Sequence, residues 1–511
     1  MTMTSRRGFF SLFVLLTLAS LLPVWSQRLL PMLDTPNHLA LVRGWFSFCD
    51  PAYHISDFYT LRIKPVPYIL FYASIHGLMQ LHFSIETANK IFLSCYLVLF
   101  PLSVLYLLRS FGRSDWLAIG GFSLSFSQNW IFGFSSFLMG SCFTVLAVGA
   151  LVRYLDSGRD RHLGALAIFN LLAFSGHILS WFVYGVIALA LLLKEFRSWR
   201  RGVWVVLATL PACLLTIANF LGEMSEHTYL QRGEHFEATW KDVPTLLGEF
   251  PWRVGNIFPG HFDMLVFWVR FAIIAGLLLW HRQHREKEAP NQTSRLKVIF
   301  FVFVLLYFSL PFSIQKPIPW WNLGPRVVWM GMPFVLLLPA GPFADRRKWL
   351  LAPLVVLHLL ISLRMTALYR SFDERNRGFI ELADSLPLGA IATAVPRGLV
   401  RPVVEFYEDP ASAGGVYLNF PLWPMALKGG FSPYIFNQGI PIRFREEIEE
   451  IKYPSIFYPD NVRPWQLPLF DYFIVRDGSD EWAPEDLSLQ KIAERGDWTM
   501  YKRMYKTTEE P

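Results

Sequence analysis

The chain has 511 residues, of which 53% are apolar and 17% charged, and its mean hydropathy is +0.33. Soluble domains usually carry about 25% charged residues, and disordered or collagen-like chains are less apolar still, so this composition excludes those classes and indicates a membrane protein. The net charge is +7, but residues 367–511 hold 16 Lys and Arg against 22 Asp and Glu, which excludes a basic nucleic-acid-binding surface there, and four scattered cysteines exclude a disulfide framework.

Long apolar runs alternate with short clusters of Lys and Arg, which are typical of cytoplasmic loops. A spanning helix needs about 20 residues, so the runs between the clusters predict eleven spans with the N-terminus in the cytoplasm and the chain after the last span outside. We interpret the first run as an uncleaved helix, because no clear signal-peptide cleavage site follows it. The predicted spans are Gly8–Trp25, Ile91–Leu108, Trp116–Phe126, Ile131–Leu151, a two-helix hairpin over Leu163–Leu193, Val203–Leu221, Met264–Trp280, Val298–Phe312, Val327–Ala340 and Trp349–Leu368.

One apolar run, Pro67–Leu81, does not fit this alternation. If it spanned, the basic residues after the second predicted span would lie outside, against the positive-inside rule. We therefore expect it to lie on the outer leaflet or dip into it. The alternative is that it spans and that one short run, Trp116–Phe126 or Leu163–Phe174, does not.

The outer segment of residues 26–90 carries a carboxylate at the membrane surface. Asp34 comes about nine residues after the first span, at the level of lipid headgroups. Pro36 fits the first turn of a helix, so Asp34 can equally be a plain helix cap. Apolar residues then recur at helical spacing and predict a face that rests on the membrane, namely Leu39, Val42, Trp45 and Phe46.

From about residue 367 the apolar runs shorten to strand length. The fold class is therefore a polytopic α-helical membrane protein with a C-terminal extracytoplasmic α/β domain, divided into residues 1–366 and 367–511. Two helices are expected in the second part, over Arg377–Leu386 and Leu487–Arg495. Four strands are expected, over Ile391–Val395, Val416–Phe420, Asp471–Val475 and Trp498–Met504.

Two short stretches and two architectural features belong together. One stretch directly follows the first span and consists of Asp34, Pro36, Asn37 and His38. The other opens an inward span and consists of Asn129, Phe132, Gly133, Phe134, Phe137 and Gly140. The architectural features are paired short helices that meet at His177 and a multi-span body followed by an external α/β domain. Together they resemble the GT-C superfamily of membrane glycosyltransferases, which take sugars from polyprenyl-phosphate carriers.

The resemblance implies an enzyme of the outer face of the membrane, most simply the bacterial cytoplasmic membrane. It implies inverting transfer of a hexosyl or pentosyl group from a polyprenyl-phosphate donor to a hydroxyl of an acceptor glycan, lipid or protein. In such enzymes a first-loop aspartate takes the proton from that hydroxyl, so the resemblance gives this role to Asp34, whose carboxylate is ionised at pH 7 unless burial raises its pKa. The substrate-binding candidates are Asn37, His38, Asn129, His177, Lys316 and Arg326.

The sequence departs from the GT-C pattern in its second acidic residue. Many members carry one in another early outer loop, whereas the corresponding turns here hold Gln128 with Asn129 and Ser175 with His177. A metal bridged by two carboxylates is therefore poorly supported, and we expect no cofactor. Acidic residues that could substitute, none of them selected by spacing, are Asp50, Asp57, Glu223 and Glu226.

The outer loop of residues 313–326 offers cationic groups for the lipid phosphate. Arg326 presents a planar fork of donors that matches a phosphate, and Lys316 lies in the same loop. The alternative is that Arg326 is a snorkelling anchor in an interfacial belt. His177 lies at the tip of a hairpin whose short halves favour the wall of a cavity, and the alternative for it is a solvated turn histidine.

Two other functions compete with transfer. A transporter or flippase-like protein is expected to have ionisable residues in the middle of its spans and internal repeats, and we find neither in the sequence. A non-catalytic scaffold with an external binding domain is compatible with the missing second acid. Replacement of Asp34 by Asn discriminates them, because only a transferase should lose turnover while it keeps its fold.

Overall fold

The structure is a computed structural model of the full chain, and it is mostly helical. It describes residues 3–195, 199–226, 237–255, 257–258, 262–283, 290–316, 320–339, 349–397, 415–435, 441–445, 447–448, 468–476 and 488–504. In these ranges the α-helices are α1 Met3–Trp25, α2 Thr35–Phe46, α3 Ile55–Phe58, α4 Ile69–Gln80, α5 Ile85–Ser110, α6 Ile119–Ser125, α7 Gln128–Ile131, α8 Ser135–Ser157, α9 Asp160–Gly176, α10 Ile178–Lys194, α11 Trp199–Glu226, α12 Val243–Gly255, α13 Phe262–Gln283, α14 Pro290–Ser309, α15 Leu323–Val335, α16 Ala352–Ser385 and α17 Trp423–Lys428.

The strands are short, and most of them lie in the second half of the chain. They are β1 Tyr59–Leu61, β2 Glu237–Thr239, β3 Ser313–Lys316, β4 Trp320–Trp321, β5 Ala392–Val395, β6 Ile442–Phe444, β7 Tyr472–Arg476, β8 Leu489–Arg495 and β9 Trp498–Arg503. Among the described residues they form three sheets, ordered β1-β6, β2-β3-β4 and β5-β7-β9-β8.

The helical body is that of a multi-pass membrane protein. Within the described ranges, seven helices are long and apolar enough to cross a bilayer, namely α1, α5, α8, α11, α13, α14 and α16. Each of the other four predicted spans also contains a helix, but these are shorter: α6 has 7 residues, α15 has 13, and α9 and α10 have 17 each. Every residue of α6 is buried among its neighbours, which is where a short helix is tolerated at membrane depth. Whether these four segments cross stays a prediction.

The run that did not fit the alternation forms α4. It has 12 residues, which as a helix are shorter than the hydrocarbon layer is thick, and the location of Pro67–Leu81 on the outer leaflet or dipping into it stays a prediction. Its buried side chains are Phe71, Tyr72, Ile75 and Met79, and it packs against α2 and α5.

Helix α2 of the first outer segment is covered by protein on the face of Leu39 and Val42, and for these two residues the prediction of a membrane-resting face was wrong; Trp45 and Phe46 are half-buried. Leu39 and Val42 are fully buried, because α2 lies between α4 and α17. Strand β1 of the same segment pairs antiparallel with β6, with Tyr59 opposite Phe444. The first outer segment and the C-terminal part of the chain therefore form one continuous structure.

The C-terminal part follows the predicted α/β pattern in most of its elements. Three predicted strands are confirmed as β5, β7 and β9, and Arg377–Leu386 is helical as far as Ser385, as the end of α16. Helix α16 is continuous through residue 366, so the membrane region and the sheet are joined without a linker. The division at residue 367 stays a prediction.

Two elements of this part were predicted wrongly. Leu487–Arg495 is not a helix in its described residues but the edge strand β8, paired with β9. The pairing with β9 outweighs the helix propensity of its residues. A register shift between Lys491 and Ala493 also interrupts the alternation of side chains that would have indicated a strand. Val416–Phe420 is not a strand but lies in the 3₁₀ turns Gly415–Tyr417 and Phe420–Leu422, because the intervening residues pack against the Asp34 segment.

Candidate active site

The backbone around Asp34 is held from outside its own helix. The Leu33 and Asp34 amides donate to the carbonyls of Ile131 and Phe132, each over 3.0 Å, and the Asp34 carbonyl accepts from the His38 amide. The Asp34 side chain makes no capping hydrogen bond to α2. The carboxylate is therefore not engaged as a helix cap, and it is left for other partners.

Glycines allow two close backbone approaches at this site. Gly133 has φ +74°, and a Cβ there would meet the Asp34 amide nitrogen at 3.0 Å. A Cβ on Gly176 would lie 2.6 Å from Gly140 Cα, and one on Gly140 would lie 3.0 Å from the His177 amide nitrogen. Glycine is needed at these positions because only it fits such a contact or adopts such a φ without strain. The stretch from Asn129 to Gly140 thus brings Asp34 and His177 to the same region.

The Asp34 carboxylate has two partners of different charge. Asn419 Nδ2 donates to Asp34 Oδ1 over 3.2 Å, and Arg326 is close enough to interact electrostatically with the carboxylate. Burial raises the pKa of Asp34 to about 7, while Arg326 and the Asn419 hydrogen bond oppose this rise. Such a carboxyl exchanges a proton near neutral pH, which suits a general base.

Arg326 lies in the first turns of α15 and faces aromatic rings. Its guanidinium carbon is 3.8 Å from the centroid of the Phe134 ring and 5.6 Å from that of Phe137. Its Nε is buried and has no hydrogen-bond partner among the described residues. The guanidinium is thus packed within the protein. The snorkelling alternative, which would place it at the lipid interface, does not describe this arrangement.

His177 is the junction between α9 and α10, and it is buried. The Leu179 amide donates to His177 Nδ1 over 3.0 Å, and burial, with Arg326 and His38 nearby, lowers the pKa of His177 well below its usual value. We therefore assign a neutral ring with its proton on Nε2, which lies 3.3 Å from Arg326 Nη1. With the proton on Nε2, both groups are donors and neither can accept from the other at this distance, so the pair favours an anionic oxygen that accepts from both. The solvated-turn alternative for His177 does not hold.

His38 and Asn37 are buried in α2. His38 Nδ1 and the Tyr72 hydroxyl form a 2.9 Å hydrogen bond, and burial lowers the pKa of His38 to about 4. The imidazole is therefore neutral at pH 7 and contributes hydrogen bonding without charge.

Of the remaining candidates, Asn129 lies in the segment that also holds the Asp34 backbone, and Lys316 is only partly defined. The Asn129 carbonyl accepts from the Phe134 amide over 3.0 Å, and its side-chain Oδ1 is buried without a partner among the described residues. Lys316 ends β3, where its backbone pairs with Glu237, but its side chain lies outside the described part of the chain.

Two residues of the site were missed in the sequence. Asn419 comes from a stretch that the sequence predicted as a plain strand. Tyr68 has a left-handed backbone with φ 77°, and its ring packs edge-on against His177 with centroids 4.8 Å apart. Neither belongs to a motif, and they reach the site only through the packing of distant segments.

The described residues do not fit a bridged metal. No group of three or more His, Cys, Asp and Glu residues that could hold an ion occurs in the described ranges. Of the acidic residues that could substitute, Asp50 accepts from the Ala52 amide and Asp57 pairs with the exposed His54. Glu223 and Glu226 have side chains outside the described part. That the protein needs no cofactor stays a prediction.

A cavity of about 190 Å³ lies next to the Asp34 segment. Its lining includes Pro31 and Ile131 and, from α16, Tyr369, Ser371 and Arg375. Asp34 and Arg326 do not line it. The cavity is therefore a neighbour of the base and arginine and not part of their arrangement.

No protein-family model and no curated protein sequence matches this chain. Solved structures are similar over nearly its whole length. The arabinofuranosyltransferase AftD from Mycobacteria aligns with a TM-score of 0.52 and 14% identity, covering 98% of this chain and 40% of that one. ArnT from Cupriavidus metallidurans, bound to undecaprenyl phosphate, aligns with a TM-score of 0.50 and 12% identity, covering 99% of both chains.

The protein has the GT-C fold. It spans about 40% of the length of AftD but the whole of ArnT. The GT-C resemblance of the sequence is thus confirmed at the level of fold. At such identities the likeness does not extend to activity, so the roles of individual residues rest on their geometry.

Proposed function

We propose that this protein is a membrane glycosyltransferase that moves a sugar from a polyprenyl-phosphate donor to an acceptor hydroxyl on the outer face of the membrane. The observation that carries the proposal is the grouping of Asp34 with Arg326 and His177. A carboxyl with a pKa near 7 interacts with the Arg326 guanidinium, whose Nη1 lies 3.3 Å from His177 Nε2. The GT-C fold and the undecaprenyl phosphate bound to the similar ArnT support the same assignment.

The roles follow from the charges. Asp34 takes the proton of the acceptor hydroxyl while the hydroxyl oxygen attacks the anomeric carbon. The bond between that carbon and the phosphate oxygen breaks, and its electron pair leaves with the polyprenyl phosphate. Arg326 and His177 Nε2–H donate to the departing phosphate, so the negative charge that develops is stabilised. A single displacement of this kind inverts the anomeric configuration.

The neutral polar groups near the site are the candidates for holding the sugar. Asn37, His38 and Asn129 are buried next to the Asp34 segment, and amides and a neutral imidazole suit sugar hydroxyls. Lys316 is a further candidate for the phosphate because its strand is close in sequence to α15. The outer location of this site, and with it the cytoplasmic N-terminus, are part of the proposal.

The proposal is tested with purified protein in lipid nanodiscs and a panel of synthetic polyprenyl-phosphate sugars. Release of free polyprenyl phosphate is measured with native membrane extract as the source of acceptor. Asp34→Asn should lower the rate by at least about 100-fold, the usual contribution of a general base. The matched control is Asp57→Asn, which removes an exposed carboxylate from the same outer segment and should leave the rate unchanged.

Two outcomes would contradict the proposal. Full activity of Asp34→Asn would show that Asp34 is not the general base. Equal losses of rate in Asp34→Asn and Asp57→Asn would show that the loss comes from a change in surface charge and not from the loss of a base. A transporter or scaffold would show no release with any donor, in wild-type or variant protein.

A further inference from the structure

The C-terminal part of the chain contributes a side chain to the Asp34 carboxylate. Asn419 is 385 residues away in sequence and only 4% exposed. Its Nδ2 donates both to Asp34 Oδ1, over 3.2 Å, and to the Leu33 carbonyl, over 3.0 Å. One amide group thus binds the carboxylate and the backbone next to it.

An apolar cluster fixes the position of this amide. Leu418, next to Asn419, packs with Leu33 and Phe132, and Phe134 lies against the same cluster. Phe132 accepts from the Asp34 amide through its carbonyl, and the Phe134 ring lies under the Arg326 guanidinium. The segment around Asn419 therefore contacts the supports of both Asp34 and Arg326.

We infer that Asn419 is a positioning residue, which orients the Asp34 carboxylate and keeps it available as a proton acceptor. The inference rests on the proposed function, since it assigns Asn419 a task through Asp34. An amide N–H donates a stronger hydrogen bond to a carboxylate than to a neutral carboxyl group, so the contact favours the ionised base. The same amide holds the Leu33 carbonyl, which limits rotation of the loop that carries the base.

Other charged and titratable groups face Asp34 from the elements packed around it. Arg326 approaches from α15 and stabilises the charge, while Tyr72 of α4 also interacts with the carboxylate. His38 lies on the same helix, and His177 lies beyond Arg326. Of these groups, Arg326 alone shares with Asn419 the effect of lowering the Asp34 pKa.

The test measures the protonation of Asp34 directly, without a substrate. Dicyclohexylcarbodiimide, an apolar reagent that modifies protonated carboxyl groups in membranes, is applied to the full-length protein in nanodiscs across a pH series. Mass spectrometry then gives the modified fraction of the Asp34 peptide. Wild-type modification should fall with a midpoint near pH 7, as the raised pKa of Asp34 requires.

Asn419→Ala should move this midpoint to higher pH. Asn419→Asp, which keeps the shape but replaces the donor with a like charge, should move it further still. A role in packing alone predicts no shift of the midpoint in Asn419→Ala, because that variant would then remove no donor to the carboxylate. In the transfer assay Asn419→Ala should lower kcat at pH 7 about tenfold, the loss of one hydrogen bond to a charged group, with an unchanged KM for the donor and partial recovery at higher pH.

Asn376→Ala is the matched control. Asn376 is also buried and donates to the Tyr417 hydroxyl two residues before Asn419, so its loss disturbs the same segment without touching Asp34. It should leave the labelling midpoint unchanged. An unshifted midpoint in Asn419→Ala, or an equal shift in Asn376→Ala, would overturn the inference. The proposed function would fail separately, through an active Asp34→Asn variant.

Discussion

In the proposed transfer, Asp34 combines two demands at one carboxyl group. It must be ionised to accept a proton, yet it lies in a region from which much of the water is excluded. Burial raises its pKa to about 7, and Arg326 and Asn419 limit this rise. A base with this pKa is strong enough to take a proton from a hydroxyl and still largely ionised slightly above neutrality.

The pH dependence of the rate follows from this pKa. Protonated Asp34 cannot act as a base, so kcat/KM should decrease as the pH falls through about 7 and reach a plateau above about 8. The measurement is release of polyprenyl phosphate between pH 5 and 9, with unfolding followed in parallel. A rate that stays constant down to pH 5 would show that a carboxyl with an ordinary pKa, or no carboxyl, limits the reaction.

Arg326 is expected to act through geometry as well as charge. Arg326→Lys keeps the positive charge but loses the planar fork and the stacking on Phe134, which lies 3.8 Å away. We expect kcat/KM to fall about 10- to 100-fold, with a larger loss in Arg326→Gln. Arg445→Lys, at an exposed outer arginine bonded to the Ser56 carbonyl, is the control and should have no effect. Equal activities of Arg326→Lys and wild type would show that only the positive charge of Arg326 matters for the reaction, and not its planar geometry.

At the scale of elements, the hairpin of α9 and α10 depends on a backbone contact. Gly176 and Gly140 approach so closely that a Cβ on Gly176 would lie 2.6 Å from Gly140 Cα. Through this contact the turn at His177 packs closely against α8. The site is therefore sensitive to methyl groups at positions that carry no chemistry.

Gly176→Ala should lower the thermal unfolding midpoint in detergent, since overpacking of this kind costs about 1–3 kcal/mol. Gly185→Ala is the matched control, because Gly185 lies in α10 with open space where a Cβ would be placed. There the substitution should be neutral or slightly stabilising, by up to about 1 kcal/mol. If Gly176→Ala were as stable as Gly185→Ala, the end of α9 could move away from Gly140 of α8 without a loss of stability.

The elements that were predictable from the sequence are those with a local signal. Long apolar runs between basic clusters predicted the helices, and Pro36 with Asp34 predicted the start of α2. Strand β8 was missed because its composition favours a helix and its bulge breaks the alternation. The turn after it, Gly496 with φ 53° followed by Asp497, is a hairpin signal that could have corrected this.

The site itself was predictable only in part. Asp34, His177 and Arg326 lie in outer turns next to apolar runs, and the structure brings them together. Asn419 and Tyr68 could not be found in this way, since their proximity arises from contacts between segments far apart in the chain. The covered face of α2 was missed for the same reason, because a helix buried by protein and one resting on lipid show the same apolar period.

On the scale of the whole molecule, the proposed outer location of the site requires a fixed orientation in the membrane. Cys49 is exposed in the first outer segment, and Ser157 is exposed at the end of α8, where the sequence predicts a cytoplasmic loop. A membrane-impermeant maleimide should label Cys49 in intact cells and fail to label Cys49→Ser. Ser157→Cys in the Cys49→Ser background should be labelled only after permeabilisation. Labelling of Ser157→Cys in intact cells would reverse the orientation and place Asp34 in the cytoplasm.

Helix α16 has 34 residues and no interruption between the bilayer and the sheet. At 1.5 Å per residue it is a rod of about 51 Å, and it shares contacts with α17, the helix that covers α2. Helix α16 therefore offers no break at which the membrane region and the sheet could be separated. Proteolysis or engineering that removed residues 386–511 would take away the helix that covers α2 and the Asn419 hydrogen bond to Asp34, so we expect the membrane-embedded fragment alone to lose the proposed activity.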